Sequence, residues 1–214
     1  MTGVFKMKKI IAFLLIAVLA ISLVGCSEED PAAKFYGTWE SEIDAASYLE
    51  SYISEEKENR VLRNHLELSP LSVKVTLTIK EDGTLHRVMG DLSKEEIEVL
   101  KQDLIKGFNA YYADYAKRAG LTLKELLEQT KISPEWKAEQ IANETYLKNA
   151  LMEMNFLGDW KLEEERLYMG THEEVVAKKN LQTYTLEEGV LTLESASFPS
   201  EFEADYYPLT FTNK

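Results

Sequence analysis

The sequence predicts an α+β protein in which an antiparallel sheet is interrupted by helices. Three observations carry this expectation. Leu71, Val73, Val75, Leu77 and Ile79 alternate with Ser72, Lys74, Thr76, Thr78 and Lys80, the two-residue period of a strand with one buried face. The acidic-glycine stretches Glu81-Asp82-Gly83 and Glu187-Glu188-Gly189 each lie between two strand-like runs, which is hairpin patterning. Between the two hairpins the period lengthens. Ile97, Leu100, Leu104, Phe108, Tyr111 and Tyr115 succeed one another at helical spacing and form one face.

In chain order, the first 25 residues read as an address. Residues 10–24 hold no charge and come after Lys8-Lys9, a run too short to span a bilayer comfortably and of the length of a secretory signal. Residues 26–33 read as a short polar tether reaching at most ~25 Å beyond Cys26. Residues 34–214 are expected to form a single domain. Its first strand opens at Phe35-Tyr36-Gly37-Thr38-Trp39, and a helix is expected at about 44–62, where Tyr48, Leu49, Tyr52 and Ile53 cluster. After the 71–89 hairpin comes a helical insertion at about 93–154. Ser93 with Glu96 and Thr122 with Glu125 have capping-box spacing, Gly120 is a stop, and Ser133-Pro134 starts a further helix carrying Trp136, Ile141, Leu147 and Leu151. Strands resume at 155–180. There Phe156-Leu157-Gly158-Asp159-Trp160-Lys161 echoes Phe35-Tyr36-Gly37-Thr38-Trp39-Glu40, as though two equivalent strands entered one sheet. The second hairpin and a closing strand after Tyr207-Pro208 complete the chain.

These residues carry two resemblances. Leu23-Val24-Gly25-Cys26, at the end of the apolar run, resembles the bacterial lipoprotein signal, and Cys26 is the chain's one cysteine. The resemblance implies cleavage before Cys26, acylation of its thiol and anchoring to the cell membrane on the extracytoplasmic face, a stable hold when two or more acyl chains are attached. Gly37-Thr38-Trp39, the hairpins and the Tyr-Pro-Leu-Thr-Phe ending resemble lipocalin-like lipoproteins. That likeness implies that the sheet is a small antiparallel β-barrel, or strongly curved, with Trp39 lying across one end.

Composition and motifs limit the chemistry. Lys plus Arg number 24 and Asp plus Glu 37; without the three lysines of the signal, 21 bases face 37 acids. So acidic a surface repels nucleic-acid phosphate, and no nucleic-acid partner is expected. A single cysteine excludes a disulfide framework and a cysteine zinc cluster. His65, His86 and His172 stand in three unrelated contexts, with no His-Glu-x-x-His spacing. No phosphate-cradling glycine loop and no Gly-x-Ser-x-Gly elbow occurs. No catalytic residue, metal site or cofactor is therefore assigned, and His172-Glu173-Glu174 reads as a solvated loop. The expected function is non-enzymatic binding of a small or extended ligand by the barrel, with the membrane as partner through Cys26. The alternative is a protein-interaction or envelope-maintenance factor that presents its helical insertion. Neither reading assigns ligand-binding residues.

Overall fold

The computed structural model describes residues 30–194 and 206–214. The alternation at 71–80 becomes strand β2 (Ser72–Ile79), with Val73, Val75, Leu77 and Ile79 buried and Ser72 and Lys74 turned outward. It pairs antiparallel along its whole length with β1 (Gly37–Asp44) and along its second half with β3 (Thr84–Met89). After the helical insertion come β4 (Phe156–Glu163) and β5 (Arg166–Gly170). Then come the short β6 (Leu181–Gln182), the hairpin of β7 (Tyr184–Glu187) and β8 (Val190–Leu193), and β9 (Leu209–Asn213).

These strands form one antiparallel sheet in the order β6-β5-β4-β3-β2-β1-β9-β8-β7. The two outermost strands, β6 and β7, are successive in the chain, with Thr183 alone between them. A single stretch of backbone thus pairs with β5 before Thr183 and with β8 after it. With β9 paired to β1, the sheet curls into a nearly closed barrel in which spatial neighbours are sequence neighbours. Residues Phe35–Lys214 form one compact unit.

Antiparallel order sends alternate connections to opposite ends. The β2–β3, β4–β5 and β7–β8 links are tight turns at one end, where Gly83 (φ +85°) and Gly189 (φ +80°) supply left-handed backbone. The long connections all leave from the other end. The β1–β2 link holds helix α1 (Ala46–Glu55). The β3–β4 link holds α2 (Lys94–Arg118), α3 (Leu123–Thr130), α4 (Pro134–Ile141) and α5 (Glu144–Met152). The β5–β6 link holds α6 (His172–Val176). Among the described residues no helix is long and apolar enough to cross a membrane.

The helices obey their start signals closely and depart from expectation at their ends. α1 begins at Ala46, because the Asp44 carboxylate accepts the Ala46 and Leu71 backbone N–H groups at 3.0 and 2.8 Å. It does not run to residue 62. The charged stretch Glu55-Glu56-Lys57-Glu58 offers no apolar face, and beyond it there is only a 3₁₀ turn (Arg60–Leu62). Capping boxes start α2 at Ser93 and α3 at Thr122. On α2 the buried face runs Leu100, Leu104, Phe108, then Tyr112 and Ala116, leaving Tyr115 half exposed rather than in the core. The helix expected after Ser133 is two helices. Asn143 breaks it and caps α5, its Oδ1 accepting the Tyr146 N–H at 2.9 Å. Trp136 lies outside the core, 59% exposed.

One polar contact ties the 65–70 segment to α2. Asp103 is 4% exposed; it accepts the Ser69 N–H at 2.8 Å and pairs with the Lys106 ammonium at 2.7 Å. Burial pushes its carboxyl up, but Lys106 and Ser69 together outweigh that and hold it below the usual aspartate range. A depressed folded-state value adds stability above the ordinary aspartate pKa of about 3.9, and this is lost as pH falls through the lower folded value. Asp103→Ala is expected to cost about 1–3 kcal/mol at neutral pH, because it strands the Ser69 N–H. The deficit should shrink below about pH 3.9. Urea denaturation of both proteins at pH 7 and pH 3 checks this.

Candidate functional site

The barrel's two ends differ in how they are filled. At the tight-turn end, Trp39 is fully buried and donates its indole N–H to the Phe35 carbonyl at 2.8 Å. Trp160 donates its own to the Lys80 carbonyl at 2.8 Å. The Phe35 ring lies 5.9 Å from Trp160 and 5.3 Å from Tyr184, and Tyr36 meets Trp160 edge-on at 5.6 Å. This aromatic plug has its polar handles satisfied, so it seals that end. Trp39 and Trp160 reach it from strands running in opposite directions. The two echoing motifs are therefore not equivalent entries: β1 begins at the plug and β4 finishes there.

Above the plug the interior is packed by Leu77, Ile79, Leu85, Leu167, Met169, Leu191, Leu193 and Phe211, all nearly inaccessible. At the open end the wall consists of Ile43, Val75, Met89, Met154, Leu209 and the inward-facing Arg87, around a residual cavity of about 10 Å³. Arg87 donates to the Met154 carbonyl at 3.0 Å, and its guanidinium lies 5.9 Å from the Phe156 ring centre. Asn155 accepts the Met89 N–H at 2.7 Å, which fixes the chain as it returns from the helices. Over this end α1 is pinned to α5 by the Tyr48 hydroxyl, which donates to the Ala150 carbonyl at 2.8 Å. Burial, reinforced by Glu153, raises the Tyr48 phenol far above its ordinary value. Burial beside Glu56 does the same to Tyr146. Both stay protonated at any physiological pH, and the Tyr48 hydroxyl is thereby kept as a donor.

The side wall is where the ring is incomplete. β1 and β9 pair at Trp39–Asn213 and Glu40–Thr212, and the pairing stops there. Continuing the register would set Glu42 against Thr210 and Asp44 against Pro208. Pro208 has no N–H to contribute. Since Ala45 donates to Leu71 of the β2 side, alternation directs the Glu42 and Asp44 backbone groups toward the gap. A groove of about 510 Å³ lies along it, lined by Ser41, Glu42, Asp44, Ser47, Tyr206 and Thr210. Ile43, Tyr206 and Leu209 line both the groove and the open end of the barrel, so the two adjoin.

The residues singled out in the sequence fall in different places. Cys26 lies outside the described residues. His172 begins the one-turn helix α6 rather than a loop, and its Nδ1 meets an Asp159 carboxylate oxygen at 2.5 Å while the ring stays exposed. His65 packs edge-on against Tyr111 at 5.7 Å. Among the described residues no group of three or more His, Cys, Asp or Glu is placed to hold a metal. Along α2 the Tyr111 ring meets Tyr112 edge-on at 5.1 Å and lies tilted to Tyr115 at 6.5 Å, and none of the three takes part in the plug. Sequence reasoning misses the inward position of Arg87, although Leu85, Arg87 and Met89 share one two-residue period.

Comparison with protein families, with curated proteins and with solved structures yields no match.

The returning strand depends on one small residue. A side chain on Gly158 would run into the Gly170 carbonyl and the Phe156 ring, which folds back over it. Gly158→Ala is expected to destabilise the barrel by about 1–3 kcal/mol through overpacking. Thermal unfolding monitored by circular dichroism measures the loss.

Proposed function

We propose that this protein is an extracytoplasmic lipoprotein, anchored to the cell membrane through acylated Cys26, whose lipocalin-like barrel binds a small or extended ligand without catalysing its conversion. One observation supports the reading most. Every long connection leaves from one barrel end, and there the β1–β9 ladder stops short, leaving the groove bounded by Glu42, Asp44 and Thr210 above an apolar interior. With β6 and β7 counted as one bent strand, the nine strands make a ring of eight. Eight-stranded barrels have interiors just wide enough to be filled by side chains or to hold one small ligand, and ligand sites cluster at barrel mouths. The acidic surface is a poor match for an anionic membrane, so on this reading the hold comes from the lipid and not from the domain.

A second reading gives the helical insertion a protein partner. It draws on Trp136, an exposed indole on α4, of the residue type that anchors interfaces. Trp136→Ala would abolish such an association while leaving ligand retention intact.

Two measurements test the main proposal. Cys26→Ser is expected to move the protein from the membrane fraction to the soluble one, and unchanged fractionation would refute the anchor. Native mass spectrometry of protein purified from its own cells is expected to show a retained ligand. Thr210→Trp, which fills the groove, should reduce that retention at least tenfold.

A further inference from the structure

The barrel is not equally strong around its ring. β1 pairs with β2 over eight residue pairs, β2 with β3 over five, β3 with β4 over four and β4 with β5 over five. On the other side, β7 with β8 and β8 with β9 share four each. The two joints between these arcs are much shorter: β5 with β6 and β9 with β1 have two pairs each. We propose that the arc of β7, β8 and β9 swings away from the arc of β1 to β5, and that the interior so exposed takes an apolar ligand bearing an adjacent hydrogen-bond donor and acceptor, which Gln182 recognises. The inference rests on the ligand-binding reading above and names the route and the chemistry.

Each joint carries a few additional ties of the kind that can release. At the β9–β1 joint the Lys214 ammonium reaches the Glu40 carboxylate at 2.8 Å, and the Lys214 N–H reaches the Thr38 carbonyl at 3.1 Å. At the other joint the Met169 N–H donates to the Asn180 carbonyl at 3.1 Å and the Tyr184 hydroxyl to the Glu165 carbonyl at 3.3 Å, and the Tyr184 ring leaves its edge-on contact with Phe35 of the plug when the arc moves. The Lys214 ammonium is exposed, and Glu40 keeps a second partner in Lys74 of β2 at 2.7 Å, so releasing Lys214 costs little. Each backbone hydrogen bond is modest in net terms. Opening both joints therefore breaks far less than separating β1 from β2.

Gln182 gives the opened interior its polar contact. It is the last residue paired to β5 and is 2% exposed. It stands opposite Leu167, which is fully buried. Among the described residues neither its Oε1 nor its Nε2 has a hydrogen-bond partner. A buried amide left unpaired is costly, and a leucine of similar size would pack against Leu167 and Met169 without that cost. The amide can accept from a donor and donate to an acceptor at once, which suits a carboxamide or a protonated carboxyl on an apolar chain.

Hydrogen exchange of the full chain, monitored by mass spectrometry without ligand, tests the opening. Peptides from 181–194 and 206–214 should exchange at least tenfold faster than those from 72–89. Lys214→Ala, which leaves the Glu40–Lys74 pair of the other arc in place, should widen that ratio at least threefold by speeding the C-terminal arc, and Gln182→Leu should narrow it. Uniform protection, or equal acceleration of both arcs by Lys214→Ala, overturns the opening even if a ligand co-purifies. Octanamide, titrated as the probe, should protect the arc and bind Gln182→Leu at least tenfold more weakly. Equal binding by both proteins, or none by either, overturns the role of Gln182, and the two readings fail separately.

Discussion

A sheet of nine strands has two edges, and a row of unpaired backbone groups on an edge invites pairing with another chain. This fold meets that constraint with one bent segment. Around Thr183 the backbone leaves β5 and joins β8, so the two edges become a single strand with partners on both sides. Closure at the opposite seam then depends on β9 meeting β1 beside Glu40. The interior, the plug and the groove all presuppose these two junctions, since without them Leu167, Leu191 and Phe211 would line an open, water-accessible face.

Closure also separates the tasks of the two ends. The tight-turn end is finished by rings whose indole N–H groups are paired to backbone carbonyls, an arrangement suited to permanence. The open end carries all the sequence that is not barrel. There the helices start on their own side chains: Ser93 with Glu96, Thr122 with Glu125 and Thr171 with Glu174 form reciprocal caps. Their starts therefore depend on local residues. Their placement over the barrel depends on a few long-range ties, the Tyr48 hydroxyl on the Ala150 carbonyl and Asp103 on Ser69 among them.

Much of this architecture is legible along the chain. Period-two patterning locates β2 and β3, glycine turns locate both hairpins, and capping pairs locate the starts of α2 and α3, because each signal is local and has one physical meaning. The failures share a cause as well. α1 stops at Glu55 because residues 56–59 have no face to bury, and charge alone reads equally as a solvated continuation of the helix. Tyr112 replaces Tyr115 in the core because the buried residues Leu100, Leu104, Phe108, Tyr112 and Ala116 step by four rather than by 3.6. The stripe therefore winds around α2 along a ridge chosen by what packs beside it and not by the helix's own period. The halt of β1 and β9 at Glu40 and Thr212 is a relation between segments more than 160 residues apart. Pro208 hints at an edge but cannot say against which strand.

The three indoles are divided between compartments in a way that makes the protein its own optical probe. Trp39 and Trp160 share the sealed end, and Trp136 stands in solvent on α4. A soluble quencher would thus extinguish the emission of the helical layer first and spare that of the barrel. Loosening of the two layers during denaturation could then be told apart by colour and quenching, with no label attached.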